Sequence, residues 1–139
     1  MNTVAKLPQG TMTWFGMVGT LMCDAASRAG LATDLNWLVE RYSDGVVMPN
    51  GRVQGIRFDI VNGAPSFTIG VGKDESGDVT IEVAADAALE LNLLYTVDPA
   101  YVASLDRATR QGQIRVQGDL SVMADWLTAI HDTIVDRTC

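Results

Sequence analysis

A chain of 139 residues, 47% hydrophobic and 19% charged, has the size and composition of one globular domain spanning residues 1–139, with enough apolar side chain for a sizeable core. Its net charge of −7 speaks against a nucleic-acid partner, because no basic stripe is present to neutralise phosphates. The same acidity weighs against standing adhesion to an anionic membrane surface and favours solubility.

The first predicted element is a helix over Thr11–Ala29 with a broad apolar face of Trp14, Met17, Val18, Leu21, Met22, Ala25 and Ala29, stopped by Gly30. Gly16 and Gly19 each weaken it by roughly 1 kcal/mol relative to alanine, so tertiary contacts must hold it. Packing into the core, a contact with a second copy, and a lid are all compatible with so wide a face. The apolar run Met12–Cys23 after Lys6 does not suit a signal peptide, which wants a stronger basic start and a small-residue cleavage site. The apolar run is also too short to span a bilayer.

Thr33 or Asp34 is placed to cap a second helix in which Leu35, Leu38, Val39 and Tyr42 form an i, i+3, i+4, i+7 stripe, ended by Ser43-Asp44-Gly45. From Arg52 the period changes to two. Ile56, Phe58 and Ile60 alternate with Arg57 and Asp59; Asn62-Gly63 marks a turn, prolonged by Ala64-Pro65. Phe67, Ile69 and Val71 make a second strand, Asp74–Asp78 a turn, and Val79, Ile81 and Val83 a third, the three forming an antiparallel meander. After the connection Ala84–Ala88 a fourth strand is expected from Leu89, Leu91, Leu93 and Tyr95. Asp98-Pro99 starts a helix, with Asp as cap and Pro at the first position, and Tyr101, Val102, Leu105 and Ala108 on its apolar side.

Gly112 opens a last strand in which Ile114 and Val116 alternate with Gln113, Arg115 and Gln117. Gly118-Asp119 then turns the chain into a final helix to about Arg137, whose stripe is Leu120, Met123, Leu127, Ile130 and Ile134. About five strands with polar outer faces and four helices make a two-layer α+β fold whose sheet is covered on one side only.

The C-terminal stretch Gly112-Gln-Ile-Arg-Val-Gln-Gly-Asp119 and the apolar helix after it resemble the sterol-carrier-protein type 2 family of lipid-binding domains. The hairpin Phe58-Asp-Ile60…Asn62-Gly63 and the helix start Val97-Asp-Pro99 fit the same likeness, which covers about two-thirds of the chain. It implies a five-stranded, mostly antiparallel sheet of order 3-2-1-4-5, covered on one face by helices. Between the layers it implies an apolar tunnel for a fatty acyl chain, a sterol or another lipid. Gln113 and Arg115 stand where the family has lysines, and the helix within residues 1–30 is extra to the short form. By position, Phe58, Ile60, Leu91, Leu93, Tyr101, Leu105, Met123, Trp126 and Leu127 are expected to line the tunnel.

No catalytic or metal-binding motif accompanies this expectation. Gly70-Val-Gly72 lacks the third glycine and the helix of a phosphate loop, and Asp74–Asp78 lacks the length and terminal Glu of a calcium loop. Two cysteines, Cys23 and Cys139, are too few for a disulfide framework. One histidine without Cys-x-x-Cys gives a metal no ligand set, so no metal and no cofactor is expected and the reduced cytoplasm is the expected setting. A carrier without chemistry of its own is the leading reading. Two alternatives stay open: an enzyme using His131 with Asp59, Asp86 or Asp125 as acid/base on a hydrophobic substrate, and a homodimer through the N-terminal helix. A transient membrane contact also stays open.

Overall fold

The computed structural model describes residues 5–29, 37–122 and 124–139. The elements in chain order are α1 (Met12–Ala29), β1 (Leu38–Tyr42), β2 (Val53–Val61), β3 (Ala64–Val71), β4 (Val79–Val83), α2 (Ala85–Asn92), α3 (Pro99–Arg110), β5 (Ile114–Gln117), a 3-10 turn (Leu120–Val122) and α4 (Ala124–Asp136). The five strands form one sheet of order β3-β2-β1-β4-β5. β1 pairs antiparallel with β2 and parallel with β4, so the sheet is mixed. The expected meander is therefore cut: β3 and β4 follow each other in the chain but lie on opposite sides of β1.

Register places one rung of side chains across all five strands: Ile69, Ile56, Glu40, Ile81 and Val116. The neighbouring rung is Phe67, Phe58, Leu38 and Val79. Partners in register point to one face, and this is the face under the helices, where Leu38, Ile56, Phe58 and Ile60 are all buried. The opposite face carries the charges. Arg41 pairs with Glu82 at 2.6 Å, and Arg41, Arg52 and Arg57 converge on Glu75 of the 72–78 loop. Asn62 and Gly63, at φ 51° and 75°, make the two-residue turn of the β2–β3 hairpin, so Ala64-Pro65 belongs to the strand and not to the loop.

The apolar face of α1 is spent inside the chain. Trp14, Phe15, Met17, Val18, Met22, Ala25 and Ala26 are buried. A Cβ on Gly19 would sit 2.3 Å from the Phe67 ring, so the glycine is what lets the helix lie this close to β3. Trp14 Nε1 donates to Thr138 Oγ1 (2.9 Å), and Thr138 in turn donates to the Ile134 carbonyl (2.6 Å), joining α1 to the end of α4. Cys139, which sequence position alone suggests is loose, is tied by its backbone: its amide donates to the Leu7 carbonyl at 3.0 Å.

Two elements differ from expectation by type. Residues 38–42 are a strand, not the end of a helix, while Gly30, Thr33, Asp34 and Leu35 lie outside the described residues. Leu38 and Tyr42 face the helices, whereas Val39 points to the other side and is still fully buried. With apolar and charged, half-buried residues on both faces (Leu38, Tyr42 and Glu40 on one, Val39 and Arg41 on the other), the five-residue strand shows no alternation to read. Conversely, the expected strand at Leu89–Tyr95 is absent: α2 runs through Asn92, burying Ala87 and Ala88 and leaving Leu89 partly in solvent, and Leu93, just beyond its end, is also exposed. The alanine-rich start of α2 favours helix, and its first free amide, on Ala85, is capped by the Asp44 carboxylate at 2.8 Å. α3 begins as expected, with Asp98 accepting from the Ala100 amide at 2.9 Å and Pro99 next to it. Asp98→Ala should cost about 1 kcal/mol in chemical denaturation, with faster amide exchange confined to the first turn of α3.

Candidate functional site

The helices leave a space over the β1–β4–β5 half of the sheet, a cavity of about 430 Å³. Its floor is Glu40 of β1, Ile81 and Val83 of β4, and Ile114 and Val116 of β5. α1 closes one end with Trp14, Val18 and Met22. Leu91 of α2, Tyr101 and Leu105 of α3, and Leu127, Ile130, His131 and Ile134 of α4 make most of the remaining wall, with Asn92, Thr109 and Thr128 as further polar members. The lining residues at the β5 side, Leu105, Val116 and Thr128, are exposed, whereas Trp14, Val18 and Met22 are buried. The cavity thus opens between α3, β5 and α4 and runs inward along the rung Val116–Ile81–Glu40. Adjacent strands lie about 4.8 Å apart, so Glu40 is roughly 10 Å in from the edge strand.

Of the residues placed at the tunnel by sequence position, Leu91, Tyr101, Leu105 and Leu127 line this cavity. Phe58 and Ile60 do not: both are buried in the core beside β1. Leu93 follows α2, is nearly half exposed, and also stays off the wall. Met123 and the Trp126 side chain lie outside the described residues. The three aspartates considered as acid/base partners are elsewhere. Asp59 pairs with Arg57 on the outer face at 3.1 Å, and Asp86 and Asp125 are exposed.

Among the described residues, three titratable side chains line the cavity: Glu40, Tyr101 and His131. The Tyr101 and His131 rings are in contact with centroids 4.7 Å apart and planes tilted by 46°. His131 Nε2 lies 2.9 Å from the Leu94 carbonyl, which can only accept, so Nε2 carries the proton. Next to it, the Asp132 carboxylate accepts from the Thr96 amide at 2.8 Å and its hydroxyl at 2.9 Å, which holds that acid below the usual carboxylate range. Tyr95 donates to Asp136 at 2.6 Å. These contacts bind the 94–96 segment to α4 and give the upper wall a fixed shape.

Glu40 is the residue that sequence reading missed. It is the only charged member of its rung. Among the described residues no hydrogen bond or ion pair reaches its carboxyl group, and burial alone pushes its pKa up from 4.5 to about 7. Its one visible signal is strand parity: in β1, Leu38, Glu40 and Tyr42 share a face.

No known family model matches the sequence, and no curated protein matches it. Solved structures do. A solution structure from Thermus thermophilus, of a conserved hypothetical protein suggested to be a sterol carrier protein, aligns over 99% of this chain and 94% of that one, with 14% identity and a TM-score of 0.51. The fold is that of sterol carrier protein 2. The sterol carrier protein domain 2 of Helicoverpa armigera matches over 97% of both chains, at 17% identity and a TM-score of 0.49. A UbiJ-SCP2 ubiquinone synthesis protein covers 93% of this chain and 96% of its own, at 14% identity and a TM-score of 0.48. At these identities the likeness is one of architecture. In this sterol-carrier fold the N-terminal helix is a packed part of the core rather than an appendage. Among the described residues no helix is long and apolar enough to cross a membrane.

Proposed function

We propose that the chain, taken as one domain over residues 1–139, binds an apolar ligand between its sheet and helices as a carrier or transfer module. The observation that carries this reading is the 430 Å³ cavity with a wall made chiefly of Val, Ile, Leu, Met and Trp side chains. Its volume falls in the range of about 300–1,000 Å³ usual for small-molecule sites. A ligand losing about 300 Å² of apolar surface to such a wall gains on the order of 7 kcal/mol before ordering costs. Fatty acyl chains, sterols and other lipids all meet that requirement. Two free thiols, Cys23 and Cys139, suit a reducing compartment, and the cytoplasm is the setting we propose.

Native mass spectrometry of the purified protein, with a fluorescent fatty acid as probe, tests the reading. The expected result is a co-purifying apolar molecule or saturable binding of the probe at one site. Ile81→Trp projects a larger ring from the cavity floor and should lower probe affinity at least tenfold while the circular dichroism spectrum stays unchanged. If neither lipid nor probe binds the parent protein, the reading fails.

A further inference from the structure

Glu40 is an unusual floor for a greasy cavity. A carboxyl group desolvated without a partner is costly, and proteins pair such groups or leave them neutral. The groups described around it supply no partner. β2 and β4 present Ile56 and Ile81 on either side in its rung. α1 presents Trp14, Val18 and Met22. Trp14 uses its indole N–H on Thr138, and His131 uses Nε2 on the Leu94 carbonyl. Tyr42, two residues along β1, accepts from the Gln9 side-chain amide, and its hydroxyl makes no hydrogen bond to Glu40. Among the described residues no Lys or Arg lines the cavity.

We propose that Glu40 is the polar anchor of the cavity, and that its ligand is an apolar molecule seated with a hydrogen-bond-donor end, a hydroxyl or an ammonium group, turned inward onto this carboxylate. Three observations converge on this assignment. The carboxyl group lines the cavity and lacks a partner among the described residues. It sits about two strand spacings in from the open edge, where a chain entering between α3 and β5 would place its leading end. The rest of the wall is chiefly apolar, and its polar members Asn92, Tyr101, Thr109, Thr128 and His131 make no hydrogen bond to Glu40, so the ligand's own donor is what completes it. A carboxylate-headed ligand entering head first meets a like charge, or must carry a proton in with it. An ammonium group forms an ion pair at a carboxylate half shielded from water, and a hydroxyl donates one charge-assisted hydrogen bond. The inference rests on the apolar-ligand reading and adds the headgroup class and the orientation to it.

The test uses three ligands of one chain length below their micelle concentrations: dodecylamine, dodecanol and dodecanoate. Each is titrated calorimetrically into the full chain and into Glu40→Gln at about pH 8, where the carboxyl group is ionised. The expected result is one-to-one binding in which the amine and the alcohol exceed dodecanoate by about tenfold or more, an advantage that Glu40→Gln removes. Lowering the pH to about 6 should weaken the amine most and the alcohol less, because a protonated carboxyl group loses the ion pair but still accepts a weaker, neutral hydrogen bond. Carbon-13 NMR of the Glu40 carboxyl gives an independent readout: its titration midpoint should fall when dodecylamine is bound. Equal affinity of all three ligands, or a Glu40→Gln profile identical to that of the parent, overturns the anchor while leaving the cavity reading intact. Failure of all three ligands to bind the parent protein removes both.

Discussion

Replacing Glu40 with glutamine raises the stability of the ligand-free protein by on the order of 3 kcal/mol at about pH 8, and by almost nothing at about pH 4. The reason is linkage. In the unfolded chain the carboxyl group titrates near 4.5; in the folded protein burial moves it to about 7. The folded state therefore holds a proton that the unfolded state has already released. Stability is fully present below the unfolded value, falls as pH rises from about 4.5 toward 7, and stays low above it. Glutamine has nearly the same shape and never ionises, so it avoids the loss at high pH. Against a protonated carboxyl group it gains little, since both are neutral polar groups facing the same wall.

Urea unfolding of the two proteins between about pH 4 and pH 8 measures this as a difference curve. The difference matters because other carboxylates act with the opposite sign. Asp132, held down by the Thr96 amide, and Asp119, held down by Ser121, support the fold above the ordinary carboxylate range and lose that support in acid. Both proteins share them, so they cancel. A difference curve that is flat across this range would show Glu40 to be solvated or paired in the folded state, and would remove the cost that a ligand's donor is proposed to relieve.

Why this residue escaped the sequence is instructive about the fold as a whole. Leu35, Leu38, Val39 and Tyr42 match a helical spacing, and a glutamate between them reads as solvent-facing. In the structure Val39 is buried on the far side of the sheet; a strand with an apolar and a charged residue on each face carries no period-two signal. Leu89, Leu91 and Leu93 show the reverse error: an alternation that belongs to a short helix whose cap, Asp44, comes from a distant part of the chain. Exposed or half-exposed elements were more readable. The β2–β3 hairpin, α3 with its Asp98-Pro99 start, and β5 with the Gly118-Asp119 turn all carry their own local chemistry. The strand order came from the likeness of the C-terminal unit to a known family, not from the periodicities, which suggested a meander. The cavity wall was half legible, because α3 and α4 were placed correctly, while β4 and α1 contribute Ile81, Val83, Trp14, Val18 and Met22 through a packing that no single stretch reveals.

Phe58→Ala separates the core from the site, and its expected effect is larger still. Phe58 is fully buried in β2, in register with Leu38 on one side and Phe67 on the other. Removing a ring from such a place costs about 3–5 kcal/mol, made of lost transfer energy and of the void left behind. Single domains are stable by about 5–15 kcal/mol, so the variant should remain folded at low temperature with a much lower unfolding midpoint. Phe58 does not touch the cavity. Ligand affinity, measured well below that midpoint, should therefore stay within about twofold of the parent value, a difference of under about half a kcal/mol. Leu91→Ala should show the opposite pattern. Its side chain lines the cavity and is only partly buried, so its loss should weaken binding more than it lowers stability. Denaturation and ligand titration on the same two variants check both halves. A large loss of affinity in Phe58→Ala would mean that the cavity extends beneath β2 when filled, and that the ligand reaches the part of the sheet that sequence position first suggested.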